Sequence, residues 1–441
     1  MNKGFISLTV FLVMLFCLAA PAEADEYHYT NLIVGDRATG MGGAYTAISD
    51  DATGLYYNPA GITYAAGRQF SASVNAYYYN EKNYKGVIGG NGYTRRSSSL
   101  LPNFFGVVQP LGKFKVGISY AVPDSVTEDQ QQAFTDLQLN PDIQPYNPGV
   151  TISSYTINFN NESNTYNFGP SIALEVADNF STGLTLYYYQ KNQHFISNQL
   201  IQTTNGGYEW DNQYYHSSEW GVRPVLGFMW SPVDAVSIGL AVSRIFVEGS
   251  DTNFMSTVRS ENIQVSNNPL DADRRSLPAS ASGTSAKREY PTQVSLGVAW
   301  FASQSFLVTG DINYFTKVNE QDEVTTDGKY TFVFRHLAEP VTNIALGTEY
   351  YFTKNWALRA GLFTDKSNTE NVESGGINQA EHIDLYGGTF SISNFTRNTS
   401  VTLGVGMADG TGKAQILGGN SRIQDVTSKS WTIFLSSSYS Y

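Results

Sequence analysis

Apolar and polar residues alternate with a period of two wherever a pattern can be read along the chain. In FSASVNAYY, which starts at Phe70, the residues Phe70, Ala72, Val74, Ala76 and Tyr78 share one face, and Ser71, Ser73, Asn75 and Tyr77 share the other. The same rhythm sets Val236, Ile238, Leu240 and Val242 against Ser237, Gly239, Ala241 and Ser243. It recurs in WALRAGLF from Trp356 and in the final stretch WTIFLSSSYSY from Trp431. Strict alternation of this length predicts strands with one apolar and one polar face. Fourteen such segments fall near 67–80, 101–110, 113–123, 165–177, 180–192, 217–231, 234–248, 289–302, 304–318, 339–353, 355–366, 383–393, 397–409 and 429–441.

The connections sharpen the picture. Short turns such as Pro110-Leu111-Gly112-Lys113, Ala177-Asp178-Asn179 and Thr353-Lys354-Asn355 alternate with long polar stretches. A compact soluble domain has little use for long structureless loops. An even-numbered outer-membrane barrel, with short periplasmic turns and long extracellular loops, is built that way. With fourteen strands the interior is too wide for side chains to fill, so the polar face lines a lumen and the apolar face meets lipid. Tyr77-Tyr78-Tyr79, Tyr187-Tyr188-Tyr189 and Tyr350-Tyr351-Phe352 suit interfacial girdles. Glu175, Arg223, Asp311, Glu349 and Arg359 all fall on the polar phase, whereas Arg244 does not and is expected at the outer interface. The predicted fold class is all-β: a fourteen-stranded antiparallel transmembrane β-barrel. A large soluble β-sandwich or solenoid is the opposing reading.

Composition narrows the compartment and the partners. Phe5 to Leu18 is an apolar run behind Lys3, and Ala22-Glu23-Ala24 has the A-x-A form of a leader-cleavage site. Residues 1–24 are therefore predicted to be a signal peptide, with cleavage after Ala24. Cys17, the one cysteine, falls inside it, so disulfide or thiolate chemistry is not expected of the mature chain. The formal charge of −12 and the lack of a basic stripe argue against nucleic acid. The expected location is the outer membrane of a Gram-negative cell, both termini periplasmic, as a monomer surrounded by lipid and lipopolysaccharide.

Residues 25–66 precede the first predicted strand, taking 67–441 as the barrel. They show no clean alternation, yet Leu32, Ile33, Val34, Met41, Ile48, Leu55 and Ile62 are too apolar for a free tail. Folding this glycine-rich segment inside the barrel as a hatch, or plug, hides those side chains; a periplasmic tail is the alternative. GDRATGMGGAYTAISDDATGLYYNPAGI, Gly35 to Ile62, closely resembles the N-terminal hatch of FadL-type outer-membrane transporters of long-chain fatty acids, a FadL/TodX family that includes aromatic-hydrocarbon channels. LPNFFGVVQPLGKFKVGISYAVP, EWGVRPVLGFMWSP, YPTQVSLGVAWF and NWALRAGLFTDKSN resemble its strands in order. The resemblance implies a hatch-plugged barrel that captures a hydrophobic ligand at extracellular loops and passes it inward by facilitated diffusion. Release is then sideways into the membrane, through a kink in the third strand beside Asn58, Pro59 and Ala60. Pro123 sits in the matching strand, where it either breaks the ladder or simply ends the strand at a loop.

Other chemistry finds little support. His28, His194, His216, His336 and His382 show no metal-ligand spacing, and no serine is singled out for a Ser-His pair. Gly410-Thr411-Gly412-Lys413 lacks the Ser/Thr a phosphate loop needs. No enzyme activity, metal or cofactor is expected. Arg223 and Arg359 face the lumen on the pattern and either pair with a substrate carboxylate or with Glu175, Asp311 or Glu349. Phe134, Leu137 and Leu139 offer an apolar capture groove, or pack their loop on itself. Asp50 and Asp51 are expected to accept backbone N–H groups in a turn. The expected partner is a fatty acid or an aromatic hydrocarbon. A barrel serving a secretion system as carrier or structural protein is the alternative function.

Overall fold

In a computed structural model, the alternating segments pair into one antiparallel ring. The structure describes residues 27–88, 90–139, 144–263, 273–284, 288–326, 331–376, 379–415 and 423–440. The predicted leader lies outside them. The first six strands are long: β1 (Gln69–Ile88), β2 (Asn91–Leu111), β3 (Phe114–Gln138), β4 (Thr151–Ala177), β5 (Phe180–Thr203) and β6 (Tyr208–Val233). The next are shorter and come in collinear pieces: β7 (Val236–Ser243) and β8 (Phe246–Glu261), β9 (Asp273–Thr284) and β10 (Gln293–Ser303). After them come β11 (Phe306–Phe315) and β12 (Val318–Thr326), then β13 (Thr331–Ala338) and β14 (Val341–Thr353). The last four are β15 (Trp356–Asp365), β16 (His382–Phe395), β17 (Thr399–Ala414) and β18 (Gln424–Ser440).

Fourteen of these close the barrel: β1 to β7, β10, β11 and β14 to β18, with β1 bonded to β18. Above that ring β8 continues along β6 and carries β9, while β12 and β13 form a separate two-stranded sheet.

Two expectations change. Much of the sequence taken as loop between residues 80 and 216 is strand, since β3 and β4 stay paired out to Gln138 and Thr151. The hydrogen-bonded ladder outlasts the apolar–polar contrast because beyond the hydrocarbon both faces can be polar. The second change is one of phase. A bulge between Asn75 and Tyr77 inserts an extra residue into β1. Beyond it Tyr77 pairs with outward Ile433 and Tyr78 with inward-phase Thr432, the reverse of simple alternation.

Outward positions carry the apolar surface, among them Leu226, Trp230, Val298, Leu362 and Leu403. Inward positions carry the buried charges Arg223, Asp311, Glu349 and Arg359. Glu175 lies exposed at the end of β4, and Arg244 falls between β7 and β8 with Glu289 at 3.6 Å.

The residues before β1 bond to inner faces around the ring. They hold two short helices, α1 (Asp36–Gly40) and α2 (Gly54–Tyr57), and a 3-10 turn at Pro59–Tyr64. Thr185 and Tyr187 of β5 donate to the Leu55 carbonyl at 2.8 and 3.1 Å. Asp311 of β11 accepts the amides of Tyr45 and Thr46, both at 2.8 Å. Thr389 of β16 donates to the Gly40 carbonyl at 3.1 Å. A side chain at Gly361 of β15 would collide with the Gly42 amide, so only glycine lets the two backbones meet there.

Candidate functional site

Between β2 and β3 the ladder stops and resumes. Ser97 pairs with Glu128 and Phe104 with Ala121 in one continuous register, yet Ser98–Asn103 and Val122–Thr127 form no ladder pairs. That register would set Pro102 directly opposite Pro123. Neither has an N–H to donate, so two prolines facing one another remove donors from both edges. On its other side β3 slips against β4 between Ala121 and Asp124, a bulge at Val122-Pro123. Pro123 thus interrupts a strand that continues to Gln138; it does not end it. Pro102 stands in the quoted LPNFF stretch, but only the pairing shows what it faces.

Three residues of the N-terminal segment bridge the unpaired edges from within. The Leu32 amide donates to the Pro123 carbonyl at 3.1 Å. Asn31 Nδ2 donates to Asp124 Oδ1 at 3.0 Å, and Asn103 Nδ2 of β2 donates to the Ile33 carbonyl at 3.0 Å. Ser73 Oγ of β1 donates to Asn103 Oδ1 at 2.6 Å and fixes that amide. Leu32 is 6% exposed.

Leu32 and Ile33 also line a lumenal pocket with Tyr78, Phe363, Leu385 and Thr389. Asp365 is the one charged residue in its lining, which holds no Lys, Arg or His among the described residues. That carboxylate accepts the Thr30 amide at 3.2 Å and Asn343 Nδ2 at 3.2 Å.

Asn58, Pro59 and Ala60 do not stand beside Pro123. Asn58 is fully buried; its Nδ2 donates to the Thr46 carbonyl at 2.8 Å and to the Phe228 carbonyl of β6 at 3.0 Å. Its Oδ1 accepts the Ala60 amide at 3.2 Å and caps the 3-10 turn that Pro59 opens. Pro59 and Ala60 lie against Gly183 of β5, whose pairing runs through Ala173 to Lys115. Pro123 is eight residues further along β3, about 27 Å at ~3.4 Å per residue. The turn therefore sits low on β5 and β6, and Leu32 takes the position at Pro123.

The lumenal arginines separate. Arg359 Nε donates to Glu349 Oε2 at 2.6 Å, and Arg37 donates to the same carboxylate at 2.7 and 3.0 Å. Arg37 also meets Asp50 at 2.6 Å, and Arg359 lies 3.7 Å from Asp36. Of the two readings for Arg359, it takes the carboxylate partner. The Arg223 guanidinium lies 4.8 Å from the centre of the Tyr56 ring, a cation–π contact. Asp51 Oδ1 accepts the Thr53 amide at 2.7 Å, as a turn carboxylate does. Burial raises the Asp51 carboxyl to about 6, aided by neighbouring Asp50 and opposed by Arg37. Leu137 and Leu139 are buried in a cluster with Tyr84, Tyr93, Ile152 and Tyr155, and Phe134 packs against it. They pack on the wall at the far end of β3 and do not line an open groove. No group of three His, Cys, Asp or Glu side chains converges as a metal site among the described residues.

A family model of outer-membrane transport proteins, described as OMPP1/FadL/TodX, matches residues 16–375. The chain belongs to this family. FadL/TodX proteins are outer-membrane transport channels, and the family is not one of enzymes. Solved relatives share the fold at low identity. The Pseudomonas putida toluene transporter TodX is 13% identical with a TM-score of 0.65, over 94% of this chain and 99% of that one. A Pseudomonas aeruginosa FadL homologue is 15% identical with a TM-score of 0.62, over 93% and 99%. The Ralstonia pickettii toluene transporter TbuX is 12% identical with a TM-score of 0.58, over 94% and 99%. No curated protein sequence matches the chain.

Proposed function

We propose that this FadL/TodX barrel admits an uncharged hydrophobic molecule to the lumenal pocket and releases it sideways between β2 and β3. Residues 25–66 act as the hatch, and Asn31–Ile33 are its moving seal. The observation that carries this is that Leu32 belongs to both places: it lines the pocket and closes on Pro123 at the unpaired edges. Passage needs no energy source or cofactor, because an apolar solute leaves water for the pocket and then for lipid downhill. The pocket chemistry favours a neutral solute, since its lining is mostly uncharged and holds no Lys, Arg or His among the described residues to attract a carboxylate. An aromatic hydrocarbon fits this better than a fatty-acid anion, and the toluene-transporter relatives agree with that choice. The chain works as a monomer in lipid and lipopolysaccharide, with both termini periplasmic.

The test is a cross-link. Cysteines replacing Leu32 and Pro123 join the seal to β3. Uptake of labelled toluene by whole cells falls to the level of cells lacking the protein and returns with reductant. Unchanged uptake in fully cross-linked protein would overturn the seal. Palmitate entering as fast as toluene through the unlinked protein would overturn the neutral-ligand assignment.

A further inference from the structure

The β5–β6 hairpin brings together two histidines that lie far apart in sequence. Its ladder runs without a slip from Phe180↔Trp230 to Gln202↔Tyr208, and it sets His194 directly opposite His216. Both project outward, on the phase of exposed Tyr188 and Trp220. His216 lies four residues past Trp220, roughly 14 Å further up the strand at ~3.4 Å per residue. The pair therefore stands on the outer wall above the aromatic level, away from the lumen. Its ring centroids are 6.2 Å apart at an interplanar angle of 63°, and Tyr214 meets the His194 ring edge-on at 5.3 Å.

The engagement of these rings differs from that of His28 and His382. His28 Nε2 bonds to the Ile383 carbonyl, and His382 Nδ1 to Thr369. No hydrogen bond or ion pair engages the imidazole of His194 or His216 among the described residues. Two partly exposed imidazoles held side by side by a sheet, with their ring nitrogens unengaged, form a preorganised pair of nitrogen ligands. Zn–N bonds of about 2.1 Å place two imidazole centroids roughly 5 to 6 Å apart around one ion, so a small side-chain rotation suffices. Imidazole suits Zn(II), Cu(II) and Ni(II), whereas Ca(II) and Mg(II) prefer oxygen. With no third such side chain converging among the described residues, water would complete the shell.

We propose that His194 and His216 form a two-imidazole site for a borderline divalent transition-metal ion on the extracellular wall. The ion ties β5 to β6 from outside. The site does not depend on the transport pathway, because neither histidine lines the pocket or the β2–β3 edges.

The experiment uses full-length protein in detergent micelles, purified without a histidine tag and titrated with Cu(II). Calorimetry gives the stoichiometry, and electron paramagnetic resonance reads the nitrogen ligands. The expected result is one ion per chain with a two-nitrogen signature. His194→Ala and His216→Ala each weaken binding roughly tenfold or more, and His382→Ala leaves it unchanged. If either alanine variant fails to assemble, His194→Asn and His216→Gln replace it, with folding checked by heat-modifiable migration. No saturable binding to the unmodified protein would overturn the site, as would binding that persists in the double variant. Unchanged affinity in either folded single variant would do so equally.

Discussion

The N-terminal segment is held in contrasting ways at two parts of the barrel wall. At β14 and β15 it is clamped by charge, with Arg37 and Arg359 sharing Glu349. At β2 and β3 it is held by three uncharged or singly charged hydrogen bonds from Asn31, Leu32 and Asn103. Gly35, at φ +89°, stands between the two regions, and a β-carbon there would strike the Thr53 side chain. A segment pinned by ion pairs and tacked by single hydrogen bonds is expected to open first at its tacked end, because local opening follows the lowest local stability. On the proposed route, the contrast implies that the clamp keeps the body of the segment in place while the seal yields.

Glu349→Gln should give the largest effect. It removes the buried charge that two guanidinium groups share, leaving Arg37 only Asp50 and Arg359 only the more distant Asp36, and losing one partner of a buried pair costs roughly 3–5 kcal/mol. Thermal unfolding in detergent reads this, and a smaller cost than at the seal would break the contrast. Next comes Asn58→Ala. It leaves the Thr46 and Phe228 carbonyls without their donor, for about 1–3 kcal/mol. With Asn58 serving as a strut low on β6, toluene uptake per folded molecule should change little; a large fall with normal stability would restore a gating role. Asn31→Ala should cost only about 1 kcal/mol yet speed uptake, because it loosens the seal alone. Slower uptake in this variant would reverse the assignment of the moving end.

Asp51→Asn should act in the opposite direction, as a pH-dependent gain away from both the clamp and the seal. The folded carboxyl titrates near 6, above its ordinary value of 3.8. Between those values the folded state holds a proton that the unfolded state has lost, so the native carboxyl is favoured at low pH. That advantage disappears as pH rises through about 6, where the buried charge becomes a cost. The amide should therefore stabilise the protein by about 1–2 kcal/mol at pH 8, solvent screening included. Near pH 4 the gain should vanish, and pH-dependent melting checks both limbs.

The barrel was legible because lipid enforces the alternation. Leu240, Leu362 and Leu435 mark the outward phase in three strands, and the fourteen-membered ring follows from counting such segments. The charges Asp311, Glu349 and Arg359 were legible as inward for the same reason. What alternation cannot carry is pairing between strands. Pro102 opposite Pro123 and His194 opposite His216 depend on hydrogen-bond register, which local sequence does not encode. The level of Asn58 relative to Pro123 was hidden likewise, because it runs through the pairing of four strands. Arg37 carried no signal of its own, as it lies in a segment without periodicity. Tyr78 was misassigned because a single bulged residue inverts everything after it.

Closure of the ring by β1 and β18 sets an order on biogenesis. The segment bonded within the lumen is made before any strand of the wall, and the strand that completes that wall is made last. His28 reaches a partner 355 residues away at Ile383, so its native contact waits for nearly the whole polypeptide. Contacts of such separation are late and slow to form. The wall must therefore stay unclosed until β18 reaches β1, which leaves time for the segment ahead of β1 to take its place inside.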